Sequence, residues 1–142
     1  MAGYSGTPLP KKLGIKKGHR VGVLGDPGHV AELVDPLPAG AELVRNPRSP
    51  CEVFLAFAPT RADFVARLER VLPRLPADAS LWIAWPKRSS GVATDMTEDV
   101  VRGEALPRQL VDVKVCAVDE TWSGLKLMVR KEHRADWPTS PS

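Results

Sequence analysis

The side chains best suited to chemistry lie in a polar loop over residues 87–95. The loop holds two cations, two serine hydroxyls, a threonine and an aspartate: Lys87, Arg88, Ser89, Ser90, Thr94 and Asp95. The two cations and the serine hydroxyls, together with the backbone N–H groups of a helix that follows, can bind carboxylate or phosphate. We therefore predict a site for a small anionic ligand here. The alternative is that these side chains face solvent and cap the next helix.

A second candidate is the turn over residues 119–123, which carries two carboxylates, an indole and a hydroxyl: Asp119, Glu120, Trp122 and Ser123. An Asn-Gly pair would suffice for a tight turn, so this composition favours a binding role. The strands before the turn and before the polar loop end at the same edge of the predicted sheet, so we expect the two to meet. The alternative is that Trp122 covers the open sheet edge while the carboxylates face solvent.

No complete catalytic, metal or cofactor motif accompanies these residues, so we predict no catalytic residue, no metal ion and no cofactor. Ser89 and Ser90 lack the Gly-x-Ser-x-Gly pattern of a nucleophile elbow. His19, His29 and His133 are far apart and lack the spacing of metal ligands. His29 follows a glycine turn at the ligand-binding edge, where a surface histidine is favoured over a general base.

Apolar runs indicate the strands that position these loops. The runs over residues 20–24, 52–58 and 80–85 are typical of strands in a parallel sheet, and the last two predict burial on both faces. Trp82 and Trp85, three positions apart, are expected on opposite faces of the sheet.

Capping patterns predict two helices around the last of these strands. Thr60 and Asp63 form a capping-box-like start of a helix whose apolar residues recur every three to four positions. Asp95, with Glu98 three residues on, predicts the start of a second helix that ends near Arg102.

The C-terminal part predicts a hairpin, with strands over residues 110–118 and 125–131 joined by the short turn. Strands that alternate with helices and end in a hairpin indicate an α/β protein: a Rossmann-like three-layer sandwich with a mostly parallel sheet and a C-terminal antiparallel hairpin. We expect one domain over residues 1–131 and a disordered tail over residues 132–142.

The order of elements over residues 8–131 resembles a shortened Rossmann-like methyltransferase. That resemblance implies a cofactor site after the first strand, but the residues there depart from the family's pattern. The strand VGVL, residues 21–24, lacks an acidic residue, and the glycine series after it is short. The acidic residue that would hold a cofactor ribose is replaced by Arg45 and Asn46. These departures predict a lost or altered cofactor site.

Three segments also resemble a bacterial family of small domains of unknown function. They are GYSGTPL with KLGIK (residues 3–9 and 12–16), WPKRSSGVATDMTEDVVR (85–102) and LVDVKVCAVDETWSGLKLMVRK (110–131). The resemblance implies a bacterial cytoplasmic setting and a single domain, and it implies no activity.

Composition excludes several classes of partner. The net charge is +3 and the basic residues are spread along the chain, which argues against nucleic acid binding. No apolar run is long enough for a signal peptide or a membrane span, so we expect a soluble cytoplasmic protein that binds no membrane. Cys51 and Cys116 lie in apolar runs and are interpreted as buried structural residues.

Three functions fit these features. The first is a non-catalytic domain that binds a small anionic ligand or a protein partner at the carboxyl edge of its sheet. The second is a divergent transferase or methyltransferase-like enzyme with an altered, nucleotide-like cofactor and Asp95 or Asp119 as acid/base group. The third is a homodimer formed through the exposed edge of the terminal hairpin. Because the acidic residues that would hold a methyltransferase cofactor are missing, we rank the binding domain first.

Overall fold

Six strands form the sheet on which this chain is built, in a computed structural model that describes residues 7–138. The strands are β1 (Arg20–Leu24), β2 (Glu42–Arg45), β3 (Val53–Phe57), β4 (Ser80–Pro86), β5 (Leu110–Ala117) and β6 (Trp122–Val129). The α-helices are α1 (Leu9–Lys12), α2 (Val30–Leu33), α3 (Arg61–Val71) and α4 (Glu98–Ala105). None of the helices in the described residues has the length and hydropathy of a membrane span.

The sheet order is β2-β1-β3-β4-β6-β5. The first four strands are parallel to one another, while β6 runs antiparallel to both β4 and β5. The predicted α/β class, with a mostly parallel sheet and an antiparallel C-terminal hairpin, is therefore confirmed.

Helices cover both faces of the sheet because the central strands are apolar on both sides. β3 is buried along its whole length, and β4 is buried after its first residue. Trp85 packs into the core beneath α3 and α4, whereas Trp82 packs into the core on the side of α1 and α2. The two tryptophans thus lie on opposite faces, as predicted.

The capping pattern at Thr60 forms as the sequence predicts. Its hydroxyl accepts a hydrogen bond from the Asp63 backbone N–H at 3.1 Å and donates to the Asp63 carboxylate at 3.0 Å. Phe64, Leu68 and Val71 form the buried stripe of α3. The helix therefore starts directly after the carboxyl end of β3.

The cap of α4 differs from the prediction. Thr97, not Asp95, caps this helix, since its hydroxyl accepts from the Val100 backbone N–H at 3.1 Å. The helix also continues through Gly103 to Ala105. Gly103 is therefore an interior residue of the helix, and no atom from outside the helix lies within 4 Å of the place where its Cβ would be.

The second hairpin strand starts earlier than predicted, at Trp122 instead of residue 125. Trp122 is 8% exposed, and its ring lies edge-on to Phe57 with centroids 5.0 Å apart. β6 stands between β4 and β5, so Trp122 packs over the sheet interior and does not cover an open edge.

Residues 132–138 fold back onto the domain, although the sequence assigns them to a disordered tail. A 3-10 turn over Lys131–His133 redirects the chain. The Trp137 indole N–H then donates to the Leu75 carbonyl at 2.6 Å, and its ring packs against the core beneath α3. Residues 139–142 of the predicted tail lie outside the described residues, as do residues 1–6.

Candidate functional site

The polar loop and the hairpin turn meet at the carboxyl edge of the sheet, as predicted. The Lys87 backbone N–H donates to the Thr121 carbonyl at 2.7 Å. A 3-10 turn, Arg88–Ser90, opens the loop and leaves Arg88 and Ser89 exposed. Ser123 lies within β6, between Trp85 and Ala117 of the neighbouring strands.

Two hydroxyls and the carboxylate of the polar loop form hydrogen bonds within the chain itself. The Ser90 hydroxyl donates to the Lys87 carbonyl at 2.6 Å, and the Thr94 hydroxyl donates to the Pro59 carbonyl at 2.6 Å. Asp95 accepts from the Arg61 backbone N–H at 2.7 Å. The carboxylate of Asp95 thus occupies the N-terminus of α3, where an anionic ligand would otherwise bind.

In the hairpin turn, Asp119 is held by three hydrogen bonds. One carboxylate oxygen accepts from the backbone N–H groups of Thr121 and Trp122, each at 2.8 Å. The other lies 2.9 Å from His29 Nε2. Burial raises the pKa of Asp119, but the bonds from His29 and the two backbone groups outweigh it and leave the pKa below its usual value. Glu120 beside it is exposed.

His29 and Asp119 form a pair with the geometry of a proton acceptor and the group that orients it. The Asp119 side chain is 15% exposed and that of His29 is 37% exposed, so the ring can be reached from solvent. An Nε2–H bond to the carboxylate leaves the Nδ1 lone pair able to take a proton. The sequence predicts a surface histidine at position 29, since no motif pairs it with another group; in the structure its partner lies 90 positions away.

The loop after β1 is closed by a carboxylate that lies outside the two predicted site segments. Asp26 accepts from the Gly28 backbone N–H at 2.7 Å and, more weakly, from that of Val30 at 3.4 Å. Its second oxygen accepts from Arg45 Nε at 3.1 Å. Burial raises the pKa of Asp26, but the hydrogen bonds from Gly28, Arg45 and Val30 outweigh it and leave the pKa below its usual value. The start of α2 is therefore already filled by an anion.

A cleft of about 820 Å³ opens between the carboxyl ends of β1 and β2 and the outer side of α3. Four arginines line it: Arg45, Arg48, Arg67 and Arg70. None of the described residues that line it is acidic. The carboxylate of Asp26 forms an ion pair with Arg45 and with none of the other three arginines. The cleft is thus strongly cationic.

The four guanidinium groups reach the cleft from two segments. Arg67 Nε donates to the Phe57 carbonyl at 2.9 Å, which fixes its guanidinium at the end of β3. Arg70 reaches the Asn46 carbonyl at 3.4 Å. The signal in the sequence was the spacing of Arg67 and Arg70, which are three residues apart and so share one face of α3.

Gly25 makes this arrangement possible because a side chain could not fit there. Its φ is +68°, and an added Cβ would lie 2.5 Å from the Phe57 carbonyl oxygen and 2.6 Å from an Arg67 nitrogen. Only glycine adopts such a φ without strain and allows so close an approach. The glycine turn after β1 therefore accommodates an arginine.

Comparison with solved structures identifies methyltransferases with this fold. A ribosomal protein L11 methylase from Lactobacillus delbrueckii subsp. bulgaricus superposes with a TM-score of 0.61 at 9% identity, covering 86% of this chain and 75% of that one. A SAM-dependent methyltransferase from Aquifex aeolicus gives 0.56 at 15% identity, with 85% and 87% covered. The B. subtilis M1A22 tRNA methyltransferase TrmK gives 0.55 at 9% identity, with 94% and 70% covered.

No protein-family model matches the chain, and no curated protein matches its sequence. At these identities the likeness to solved structures shows the fold, which is that of Rossmann-like methyltransferases. The first-ranked prediction, a non-catalytic binding domain, is contradicted by these comparisons. They favour the alternative of a divergent methyltransferase-like enzyme.

The cofactor implied by the fold, S-adenosylmethionine, does not fit the residues at the end of β1 and β2. Arg45 and Asn46 stand where an acidic residue would hold its ribose. The backbone donors at the start of α2 are taken by Asp26. The four arginines would repel a sulfonium cation. Within residues 7–138, no group of three His, Cys, Asp or Glu side chains could hold a metal ion either.

Proposed function

We propose that this chain is a divergent transferase of the methyltransferase fold, whose altered cofactor site takes an anionic, nucleotide-like cofactor. The observation that carries this proposal is the arginine-lined cleft at the carboxyl ends of β1 and β2. The resemblance to a bacterial family supports a bacterial cytoplasmic setting for the enzyme.

The charge of the cleft favours a phosphorylated cofactor over a cationic one. Guanidinium groups bind phosphate through paired, parallel hydrogen bonds, which gives both energy and orientation. In dinucleotide-binding sheets, an arginine near the end of the second strand accommodates a phosphate on the cofactor ribose. Arg45 ends β2 here, and Arg48 follows it. We therefore expect the affinity for a nucleotide to rise with its number of phosphates.

The His29–Asp119 pair supplies the acid/base group of the proposed enzyme. The O–H or N–H bond of an acceptor substrate breaks, and its proton passes to His29 Nδ1. Arg45, Arg48, Arg67 and Arg70 would hold the phosphates of the cofactor, which would supply the group that the acceptor atom takes and would keep the electron pair of the broken bond. Asp119 orients the ring and stabilises its protonated form.

Thermal unfolding of the purified chain with adenosine, AMP, ADP, ATP and S-adenosylmethionine tests the proposed cofactor site. A ligand at one hundred times its dissociation constant stabilises the folded chain by about 2.7 kcal/mol, which gives a measurable shift. We expect the shift to increase from adenosine to ATP. It should fall in the Arg48→Ala variant because that side chain lines the cleft.

The matched control is Arg88→Ala, which removes an exposed arginine of the polar loop at the same edge of the sheet. Its shift with ATP should equal that of the unsubstituted chain. A shift with S-adenosylmethionine alone contradicts the proposal. So does a loss of the ATP shift in Arg88→Ala but not in Arg48→Ala, because it places the ligand in the loop.

A further inference from the structure

The edge strand β5 is open on its outer side. β5 stands last in the sheet order and pairs with β6 alone, so no second strand in the described part of the chain covers its outer side. A β-bulge between Asp112 and Lys114 interrupts the strand. The regular open edge therefore runs from Lys114 to Ala117.

Lysines converge on one face of this edge. Lys114 stands directly opposite Lys126 of β6, and a groove of about 480 Å³ beside it is also lined by Lys11 and Lys12 of α1. Burial lowers the pKa of Lys126, and the nearby charges of Lys114 and Lys16 lower it further. None of the described residues that line the groove is acidic.

No ion pair with a described residue neutralises Lys114 and Lys126, the two facing lysines of β5 and β6. Like charges directly opposite each other on neighbouring strands destabilise a sheet. One lysine on an edge strand is enough to discourage pairing with another chain. Here α1 adds Lys11 and Lys12 beside Lys114 of the edge strand β5.

The other face of the edge is apolar and exposed. Val115 is 50% exposed, against the usual protection of edge strands by polar side chains. Val115 pairs with Leu125 while Lys114 pairs with Lys126, so these two successive side chains point to opposite faces. The edge thus has a cationic face and an apolar face.

We propose that this edge binds an extended acidic segment of a partner protein, which adds to the sheet as a strand beside β5. The segment's backbone pairs with the open edge over Lys114–Ala117. Its carboxylates meet the lysines on one face, and its apolar side chains cover Val115 on the other. Because side chains alternate along a strand, the partner's segment alternates acidic and apolar residues.

Two other occupants fit the charges less well. A second copy that extends the sheet antiparallel keeps the same face upward, so its own lysines would lie beside those of the first copy. Residues 1–6 precede Thr7, which lines the groove, but they contain no acidic residue.

Backbone amide NMR of the isotope-labelled full chain tests this surface with a capped Glu-Val-Glu-Val-Glu peptide. We expect shift changes centred on residues 114–117, and none with a Lys-Val-Lys-Val-Lys peptide. The charge reversal Lys114→Glu should weaken binding of the acidic peptide by about tenfold and create binding of the basic one. Lys131→Glu, at an exposed position beyond the far end of β6, should leave both results unchanged.

Equal binding of both peptides, or no shift at millimolar acidic peptide, overturns the proposal. So does light scattering that detects a dimer abolished by Lys114→Glu, because the occupant is then a second copy. These outcomes are independent of nucleotide binding, since the cleft and β5 lie at opposite ends of the sheet order.

Discussion

Substitution of Gly25 by alanine should destabilise the chain and disturb the arginine cleft together. Two costs add at this position. A left-handed φ costs an alanine roughly 1–2 kcal/mol. The new Cβ would also lie 2.5 Å from the Phe57 carbonyl oxygen and 2.6 Å from Arg67, whose guanidinium must move and lose its bond to that carbonyl. A hydrogen bond from a charged donor contributes about 1.5–3 kcal/mol.

Gly91→Ala separates the two costs. Gly91 has a φ of +78°, close to the +68° of Gly25, but nothing lies within 4 Å of an added Cβ. The variant therefore measures the backbone cost alone, about 1–2 kcal/mol. We expect Gly25→Ala to lose a further 1.5 kcal/mol or more, roughly the charged hydrogen bond.

Urea unfolding of the two variants and the unsubstituted chain measures this difference, with the midpoint converted to a free energy through a shared slope. Gly25→Ala should also reduce the thermal shift with ATP, whereas Gly91→Ala should not. Equal losses of stability in both variants would refute the close approach between Gly25 and Arg67 on which the cleft depends.

Three further predictions concern the cap of α4, the C-terminal segment and the hairpin turn. Thr97→Ala should cost about 1 kcal/mol of unfolding free energy in urea, because it removes the cap of α4; no loss would return the cap to Asp95. Trp137→Phe keeps a ring against the core but loses the bond to the Leu75 carbonyl, for a cost of about 0.5–1.5 kcal/mol; an unchanged urea midpoint would place the tail in solvent. The lowered pKa of Asp119 means that its ionised form adds stability above about pH 4, which is lost as the pH falls through the folded-state value. Asp119→Asn should therefore flatten the acid limb of stability against pH, and an unchanged limb would contradict the His29 pair.

Local patterns predicted the parts of the fold that depend on neighbours in sequence. The continuous apolar runs at β3 and β4 can be buried only between two layers, so they indicated the parallel sheet. Thr60 caps α3 through a residue three positions away. The prediction for the cap of α4 failed because Thr97 and Asp95 both precede acidic residues, so the local sequence does not choose between them. The choice depends on Arg61, whose backbone N–H donates to Asp95 and leaves Thr97 to cap the helix.

The candidate site was harder to predict because its contacts join distant segments. His29 and Asp119 are 90 residues apart, and nothing in their local sequences pairs them. The cleft takes Arg45 and Arg48 from the end of one strand, and two more arginines from a helix that packs beside it. The net charge of +3 hides this cluster, since charges elsewhere in the chain cancel it.

Calorimetric titration of the unsubstituted chain with ATP and with S-adenosylmethionine tests the central claim most directly. The four arginines of the cleft predict that ATP binds and that its affinity falls as salt is raised, because the attraction is between charges. They also predict that S-adenosylmethionine binds more weakly or not at all. Tighter binding of S-adenosylmethionine, in competition with ATP, would contradict the altered cofactor site.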